Sequence, residues 1–155
     1  MKQHNCILIF NNSCSVIITS NFGGKTIIHF TSSWCSVLCL TEHHFKHSQL
    51  KNVPIENYNL GANYCRELCE KGDAAIFVHN SHCFSNIDIV QHCEEQDIEI
   101  CALKLPFGTL NICVLTLYID PSVNFNCFLL KLDTILQLLY TPTLHIITFG
   151  DININ

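Results

Sequence analysis

Four side chains that stand at the ends of apolar stretches have the types that phosphodiester hydrolysis needs. They are Glu42, Tyr118, Asp151 and Asn153. Strands of one sheet can bring such ends together, so acids that are distant in sequence can share a site. Two carboxylates suit Mg²⁺, which keeps its other positions for water and phosphate oxygens. A tyrosine hydroxyl and an asparagine amide would orient the phosphate or the attacking water, which predicts metal-assisted hydrolysis.

The elements that must position these residues are apolar runs with strand or helix periodicity. Residues 124–140 carry apolar side chains at helical spacing, which predicts an amphipathic helix ended by Pro142. The stretch 106–109 suggests a hairpin turn, and 46–63 reads as a polar loop with Pro54. The predicted strands are 6–10, 16–19, 37–42, 73–79, 98–105, 110–118 and one from Leu144. Together they predict a mixed α/β layered domain.

The last ten residues change pattern at Gly150. Before it, the near-continuous apolar run is typical of a strand buried on both faces. After it, strict alternation would place Asp151, Asn153 and Asn155 on one side, because successive strand side chains alternate faces. The alternative is a strand that runs out into a polar turn, since Gly, Asp and Asn are ordinary turn residues.

Composition indicates one folded domain with a substantial core. The chain has 155 residues, 48% of them hydrophobic and only 14% charged, which excludes a disordered chain. No apolar stretch reaches the ~18 residues that a bilayer span needs, and the start lacks a secretory signal, so we expect an intracellular protein without a membrane partner. Eleven cysteines are an odd number, and Cys39, Cys101 and Cys113 lie in apolar runs, which favours reduced structural thiols.

Charge argues against tight nucleic-acid binding. The formal net charge is -5, and Arg66 is the only arginine, whereas such binding draws on several Lys and Arg contacts to phosphates. A metal-dependent site stays open, because the cation itself offsets phosphate charge.

Four segments in order resemble the endonuclease/exonuclease/phosphatase family. They are Leu38–His43 (LCLTEH), Lys71–Val78 (KGDAAIFV), Leu115–Pro121 (LTLYIDP) and Gly150–Asn153 (GDIN). The chain looks most similar to the endonuclease domain of insect non-LTR (LINE-type) retrotransposon polyproteins, over roughly residues 35–155.

That resemblance implies an α/β fold, specifically a four-layer α/β sandwich, and metal-dependent cleavage of DNA, with a nuclear location. It implies Mg²⁺ or Mn²⁺ as the cofactor, with Glu42 and Asp151 as metal-binding carboxylates. Tyr118 would place the scissile phosphate, Asp151 would position or activate the water, and Asn153 would hydrogen-bond the phosphate or that water.

The departures from the family pattern point to impaired or lost activity. Ile119 stands where relatives carry an arginine, Asp73 where they often have a second glycine, and Asn11 is only a partial match for the first-strand asparagine. The closing Ser-Asp-His-type motif is absent before Asn155. Loss of such an acid/base partner typically costs ~10²–10⁴-fold in rate. We therefore expect residues 1–155 to be a single truncated copy that lacks the C-terminal third of the domain, with residues 1–34 divergent.

Two further functions stay open beside the endonuclease. One is a non-catalytic remnant or interaction fragment that self-associates or aggregates through an exposed sheet edge. The other is a relative of the same fold that hydrolyses phosphomonoesters or lipid phosphates.

Plainer interpretations also apply to single residues. Glu42 can be a solvated strand end, and Tyr118 an edge aromatic with a wet hydroxyl. A zinc site at His43, His44 and His47 lacks the His-Glu-x-x-His spacing. The acidic residues at 94–99 are expected to be solvated surface.

Overall fold

A computed structural model describes residues 5–7, 17–22, 25–28, 36–43, 45–67 and 72–152, the first three segments and the last two residues as backbone only. The architecture is mixed α/β, as the sequence predicts. In chain order the elements are β1 (Asn5–Ile7), β2 (Ile17–Phe22), β3 (Lys25–Ile28), β4 (Val37–Thr41), α1 (His47–Leu50), β5 (Tyr58–Tyr64), β6 (Ala74–His79), β7 (Ser85–Ile87), a 3-10 turn (Val90–His92), β8 (Glu99–Phe107), β9 (Leu110–Ile119), α2 (Phe125–Leu139) and β10 (Leu144–Ile152).

Within the described residues the strands form three sheets. Strands β1, β2 and β3 make an antiparallel sheet in that order, and β4, β6 and β5 make a second one with β6 in the centre. The third sheet has the order β10-β9-β8-β7, in which only the β9–β10 pair is parallel. Helix α2 supplies the crossover that a parallel pair requires.

The predicted hairpin is confirmed, with a tighter turn than the sequence indicated. Phe107 pairs with Leu110, so only Gly108 and Thr109 connect β8 to β9. Gly108 has φ +61°, a backbone conformation that two-residue hairpin turns favour and that glycine adopts without strain. Pro106, expected in the turn, belongs to β8 instead.

The predicted helix is also confirmed. The Asn124 side chain accepts hydrogen bonds from the backbone N–H groups of Asn126 and Cys127, which satisfies donors at the start of α2. The apolar face buries Phe128 and Ile135 against the four-stranded sheet, as the helical spacing predicted.

Three apolar clusters hold these elements together. The first lies between the four-stranded sheet and the β4-β6-β5 sheet, together called the two larger sheets, and includes Ile76, Leu103 and Val114. The second lies between α2 and the other face of the four-stranded sheet. The third covers the outer face of the β4-β6-β5 sheet, where Leu50 and Ile55 pack on it. Both faces of the central strands are therefore covered, which is why their sequences are apolar without interruption.

Two sequence expectations are wrong. The segment 46–63 is not one polar loop, because it contains α1 and most of β5, whose polar residues suit an edge strand at the side of a sheet. Strand β10 is not buried on both faces. It is an edge strand among the described residues, and His145 and Thr148 are exposed.

The expected buried thiols are confirmed. Cys39, Cys101 and Cys113 are free and buried in β4, β8 and β9. Burial raises the pKa of the Cys113 thiol to about 11, so it stays protonated and unreactive at neutral pH. In the part of the chain that the structure describes, no helix has the length and apolarity to cross a membrane.

Candidate active site

The structure brings Glu42 and Tyr118 together at one end of the two larger sheets. Glu42 directly follows β4, and Tyr118 lies near the end of β9. The two side chains are hydrogen-bonded, with the Tyr118 hydroxyl donating to the Glu42 carboxylate. Burial, together with this hydrogen bond and the charge of Glu42, raises the pKa of Tyr118 far above its usual range. The phenol is therefore a neutral donor at any physiological pH.

Strand β10 places the backbone of Asp151 beside the same pair. In the parallel β9–β10 register Asp151 is the Cα partner of Tyr118, so the two residues are neighbours across the strands. The Asp151 side chain, Asn153 and Asn11 lie outside what the structure describes. Two of the four sequence-predicted residues are thus in contact, a third is adjacent by its backbone, and the contribution of Asn153 stays a prediction.

Arg66 and Glu99 form the part of the site that the sequence did not predict. Both are buried, and the Arg66 guanidinium contacts Glu99 through Nε and Nη2. Nη2 also lies 3.4 Å from Asp120 Oδ2, and the guanidinium carbon lies 5.6 Å from the centroid of the Tyr118 ring. Arg66 therefore places a positive charge beside Tyr118. The only available sequence signal was that Arg66 is the sole arginine.

Asp73 links Arg66 to the backbone of Glu42. The backbone N–H of Arg66 donates to Asp73 Oδ1 at 2.6 Å, and the backbone N–H of Asp73 donates to Glu99 Oε2 at 2.7 Å. The Asp73 carbonyl in turn accepts the Glu42 N–H at 3.1 Å. His43 Nδ1 lies 3.9 Å from Asp73 Oδ2. These contacts join the end of β4 to the start of β8 in the four-stranded sheet.

Two of the four described non-glycine residues with positive φ lie in this cluster. Glu42 has φ 51° and Asp73 φ 84°, in the left-handed region that costs non-glycine residues roughly 1–3 kcal/mol each, whereas Asn57 and Gln96 lie in exposed turns. Gly72 precedes Asp73 at φ 115°, and a Cβ there would collide with the Arg66 guanidinium. Such strain persists where surrounding contacts enforce it, and it is often found at functional sites.

The cluster holds more negative than positive charge. Four carboxylates, those of Glu42, Asp73, Glu99 and Asp120, surround the one guanidinium of Arg66. Burial would raise the pKa of Asp120, but hydrogen bonds from Ser122 and Arg66 lower it overall, so Asp120 is ionised. The Arg66 pKa is raised because its bonds with Glu99 and Asp120 outweigh burial. Excess negative charge favours a bound cation here.

The described side chains do not by themselves form a metal site. Among these, no group of three His, Cys, Asp or Glu residues has the arrangement of a metal site. Glu42 supplies one hard oxygen donor, and the chain brings Asp151 next to Tyr118, so the residue types fit Mg²⁺ or Mn²⁺. The zinc alternative gains no support, because His43 faces Asp73 while His47 contacts Asn63 at 3.0 Å.

Three plainer interpretations are wrong. Glu42 is not a solvated strand end but buried. Tyr118 is not an edge aromatic, because β9 lies between β8 and β10 and the ring is buried. The acidic residues 94–99 are not all solvated surface, because Glu99 is buried against Arg66.

A groove of about 990 Å³ opens beside Arg66. Its charged lining includes the bases Lys46 and His47 and the acids Glu67, Glu94 and Glu95. The Lys46 ammonium is already bonded to the carbonyl oxygens of residues 66 and 67. This mixed lining does not form the basic surface that binds nucleic acid by charge alone.

No family model matches the chain, and neither a curated protein nor a solved structure is significantly similar to it.

Proposed function

We propose that the chain is a metal-dependent phosphodiesterase domain of the endonuclease/exonuclease/phosphatase type, derived from a retrotransposon endonuclease and acting weakly on DNA. The observation that carries the proposal is the Tyr118–Glu42 hydrogen bond beside the backbone of Asp151. It supports the ordered set of residues on which the resemblance depends.

The layered packing is compatible with the same family. A sheet faces another sheet, α2 covers one outer side, and the segment around Leu50 covers the other. A four-layer α/β sandwich is the finer fold that we propose from this order.

In the proposed mechanism, Glu42 and Asp151 would hold Mg²⁺ or Mn²⁺. The bound ion would supply Lewis-acid stabilisation of the phosphate charge. Tyr118 donates a hydrogen bond from a phenol that stays neutral, and it fixes the direction of the Glu42 carboxylate. Asp151 positions the attacking water, and Asn153 hydrogen-bonds that water or the phosphate. Weak activity follows from Ile119 and from the burial of Arg66, which leaves no described arginine for the phosphate.

Nicking of supercoiled plasmid DNA tests this function. We expect slow nicking that requires Mg²⁺ or Mn²⁺ and falls by about 10²-fold or more in Asp151→Ala, the range for loss of an acid/base group. Asp133→Ala, on the exposed face of α2, is the matched control and should nick like the parent. Parent protein that nicks no faster than Asp151→Ala would contradict catalysis.

A second candidate is a non-catalytic interaction domain that associates with a second copy of itself. It is favoured by the burial of both Glu42 and Tyr118 and by the edge position of β10. Leu130, Leu138 and Tyr140 on the outer side of α2 are also exposed. Light scattering over a range of protein concentrations distinguishes the two, because this candidate predicts concentration-dependent dimers without nicking.

A further inference from the structure

The Arg66 side chain joins the β4-β6-β5 sheet to the four-stranded sheet at the candidate site. It follows β5 in the β4-β6-β5 sheet, while its acceptors Glu99 and Asp120 begin and follow strands of the other sheet. The side chain is almost completely buried, so its donors are used inside the protein. An arginine in that state cannot also clamp a phosphate of bound DNA.

Two chains of contacts lead from Arg66 to the Glu42–Tyr118 pair. In the first, the guanidinium lies over the Tyr118 ring at 5.6 Å, a distance at which a cation and an aromatic face attract. In the second, the guanidinium donates to the Glu99 carboxylate, which accepts the Asp73 N–H, and the Asp73 carbonyl accepts the Glu42 N–H. Both ends of the Tyr118–Glu42 hydrogen bond are therefore held by the same residue.

The carboxylates of the cluster differ in whether they contact Arg66. Glu99 and Asp120 are ion-paired with Arg66, and Asp73 accepts the Arg66 N–H. Among the described residues no lysine, arginine or histidine forms an ion pair with Glu42, whose contact is the neutral Tyr118 phenol. Among the described carboxylates of the cluster, Glu42 is thus the one that no described cation pairs with, which makes it the one available to an external cation.

We propose that Arg66 is a positioning residue: it fixes the Glu42–Tyr118 pair in the geometry that accepts a divalent cation, and it does not bind the phosphate. This inference rests on the proposed function, since the cation is the one that Glu42 and Asp151 would hold.

The sign of the change in metal affinity separates positioning from a mere charge effect. If Arg66 acted only as a nearby positive charge, its removal would tighten cation binding. If it positions Glu42, removal weakens binding by roughly 10–100-fold, the range found for residues that orient metal ligands. Arg66→Lys keeps the charge but loses the planar fork, so positioning predicts weaker binding in this variant too.

The experiment measures Mn²⁺ binding by calorimetry on the full chain, for the parent, Arg66→Met, Arg66→Lys and the control Lys104→Met. Lys104 is exposed on β8 close to the hairpin turn, at the end of the strand away from Glu99, and its replacement should leave the affinity unchanged. Binding by Arg66→Met that equals or exceeds that of the parent would overturn the inference.

Amide hydrogen exchange gives a readout that does not depend on the metal. Arg66→Lys loses the guanidinium contact with Glu99, whose carboxylate accepts the Asp73 N–H. Because the Asp73 carbonyl accepts the Glu42 N–H, the Glu42 amide should then exchange faster, while the hairpin 104–113 keeps the parent rate. If the parent binds no Mn²⁺, the proposed function fails, and exchange at Glu42 then decides the positioning claim alone. Unchanged exchange at Glu42 in a folded Arg66→Lys protein would refute it. If Arg66→Met does not fold, Arg66→Lys carries both measurements.

Discussion

The two ends of the β8–β9 hairpin are built from the same pair of strands but in opposite ways. At the turn, Phe107 and Leu110 are 45% and 46% exposed, and a two-residue connection closes the pair. At the other end, Glu99 and Tyr118 are register partners, with only 1% and 2% of their surface exposed. Apolar side chains are thus exposed at the turn of the hairpin. Polar side chains are buried at its open end, where the β4-β6-β5 sheet packs against it.

The difference shows that the open end of the hairpin carries a free-energy cost, from buried charges and strained backbone, that the turn does not carry. Buried charges lose hydration and are tolerated only when they are paired and hydrogen-bonded. Two of the four described non-glycine residues with positive φ, Glu42 and Asp73, lie buried at the polar end. A strand end with only a structural role could be closed as the turn is, without buried charges. We therefore look for function at the buried polar end.

The largest expected effect comes from removing the acceptor of Arg66. Glu99→Ala leaves a buried guanidinium without its main partner, and breaking a buried pair in this way costs about 3–5 kcal/mol of unfolding free energy. Glu94→Ala removes an exposed partner of Lys131 and should cost less than about 1 kcal/mol. Urea unfolding of both variants checks this, and equal losses would contradict the contrast between buried and exposed pairs.

Substitution of one glycine near each end of the hairpin compares the two ends: Gly150, beside Leu117 near the polar end, and Gly108 in the turn. A Cβ at Gly150 would overlap the Leu117 backbone carbonyl, so Gly150→Ala should displace β10 and cost about 1–3 kcal/mol. Gly108 in the turn has open space around it but φ +61°, so Gly108→Ala should cost about 1–2 kcal/mol through strain alone.

Metal affinity distinguishes these two glycine variants. Gly150→Ala should weaken Mn²⁺ binding because Asp151 is the next residue, whereas Gly108→Ala should not. An unchanged affinity in Gly150→Ala would break the link between β10 and the site.

The pH dependence of stability reports on Asp120. Its folded-state pKa is lowered by Ser122 and Arg66 despite burial, so its contribution is present above the unfolded pKa of about 4. That contribution is lost as the pH falls through the lower folded-state value. Asp120→Asn should therefore lose less stability than the parent as the pH falls below about 4. Parallel stability curves for the two proteins would show that Asp120 does not take part.

The smallest expected effect concerns Thr116. Its hydroxyl is buried and has no hydrogen-bond partner among the described residues. Thr116→Val keeps the shape and removes this unsatisfied group, so it should stabilise the protein by up to about 1 kcal/mol. Thermal melting measures the change, with Thr134→Val, whose hydroxyl bonds to the Leu130 carbonyl, as the control. Clear destabilisation by Thr116→Val would indicate that the hydroxyl binds something.

The sequence predicted those elements whose pattern is set by burial. Strands β4, β6, β8 and β9 are covered on both faces, and α2 on one, so their hydrophobic periodicity was visible. Strand β5 was missed because its polar residues occupy an edge position, and β7 because it spans only Ser85–Ile87. Strand β10 looked buried because its apolar run does not reveal that it lies at an edge.

For the site, the sequence predicted the strand ends but not the contacts between them. Glu42 and Tyr118 stood out because each ends an apolar run, and the structure joins them. Arg66 and Glu99 lie 33 positions apart, and neither belongs to a recognisable pattern. Their pairing depends on how two sheets face each other, which local periodicity does not contain.

The central claim is that Glu42 and Asp151 converge at Tyr118 to hold a divalent cation. Calorimetry with Mg²⁺ tests it most directly, on the parent, Glu42→Ala, Asp151→Ala and the exposed control Glu56→Ala. The proposal predicts binding by the parent and by Glu56→Ala, and loss of binding in the other two variants. A parent that binds no Mg²⁺, or binding that survives in either site variant, would contradict it.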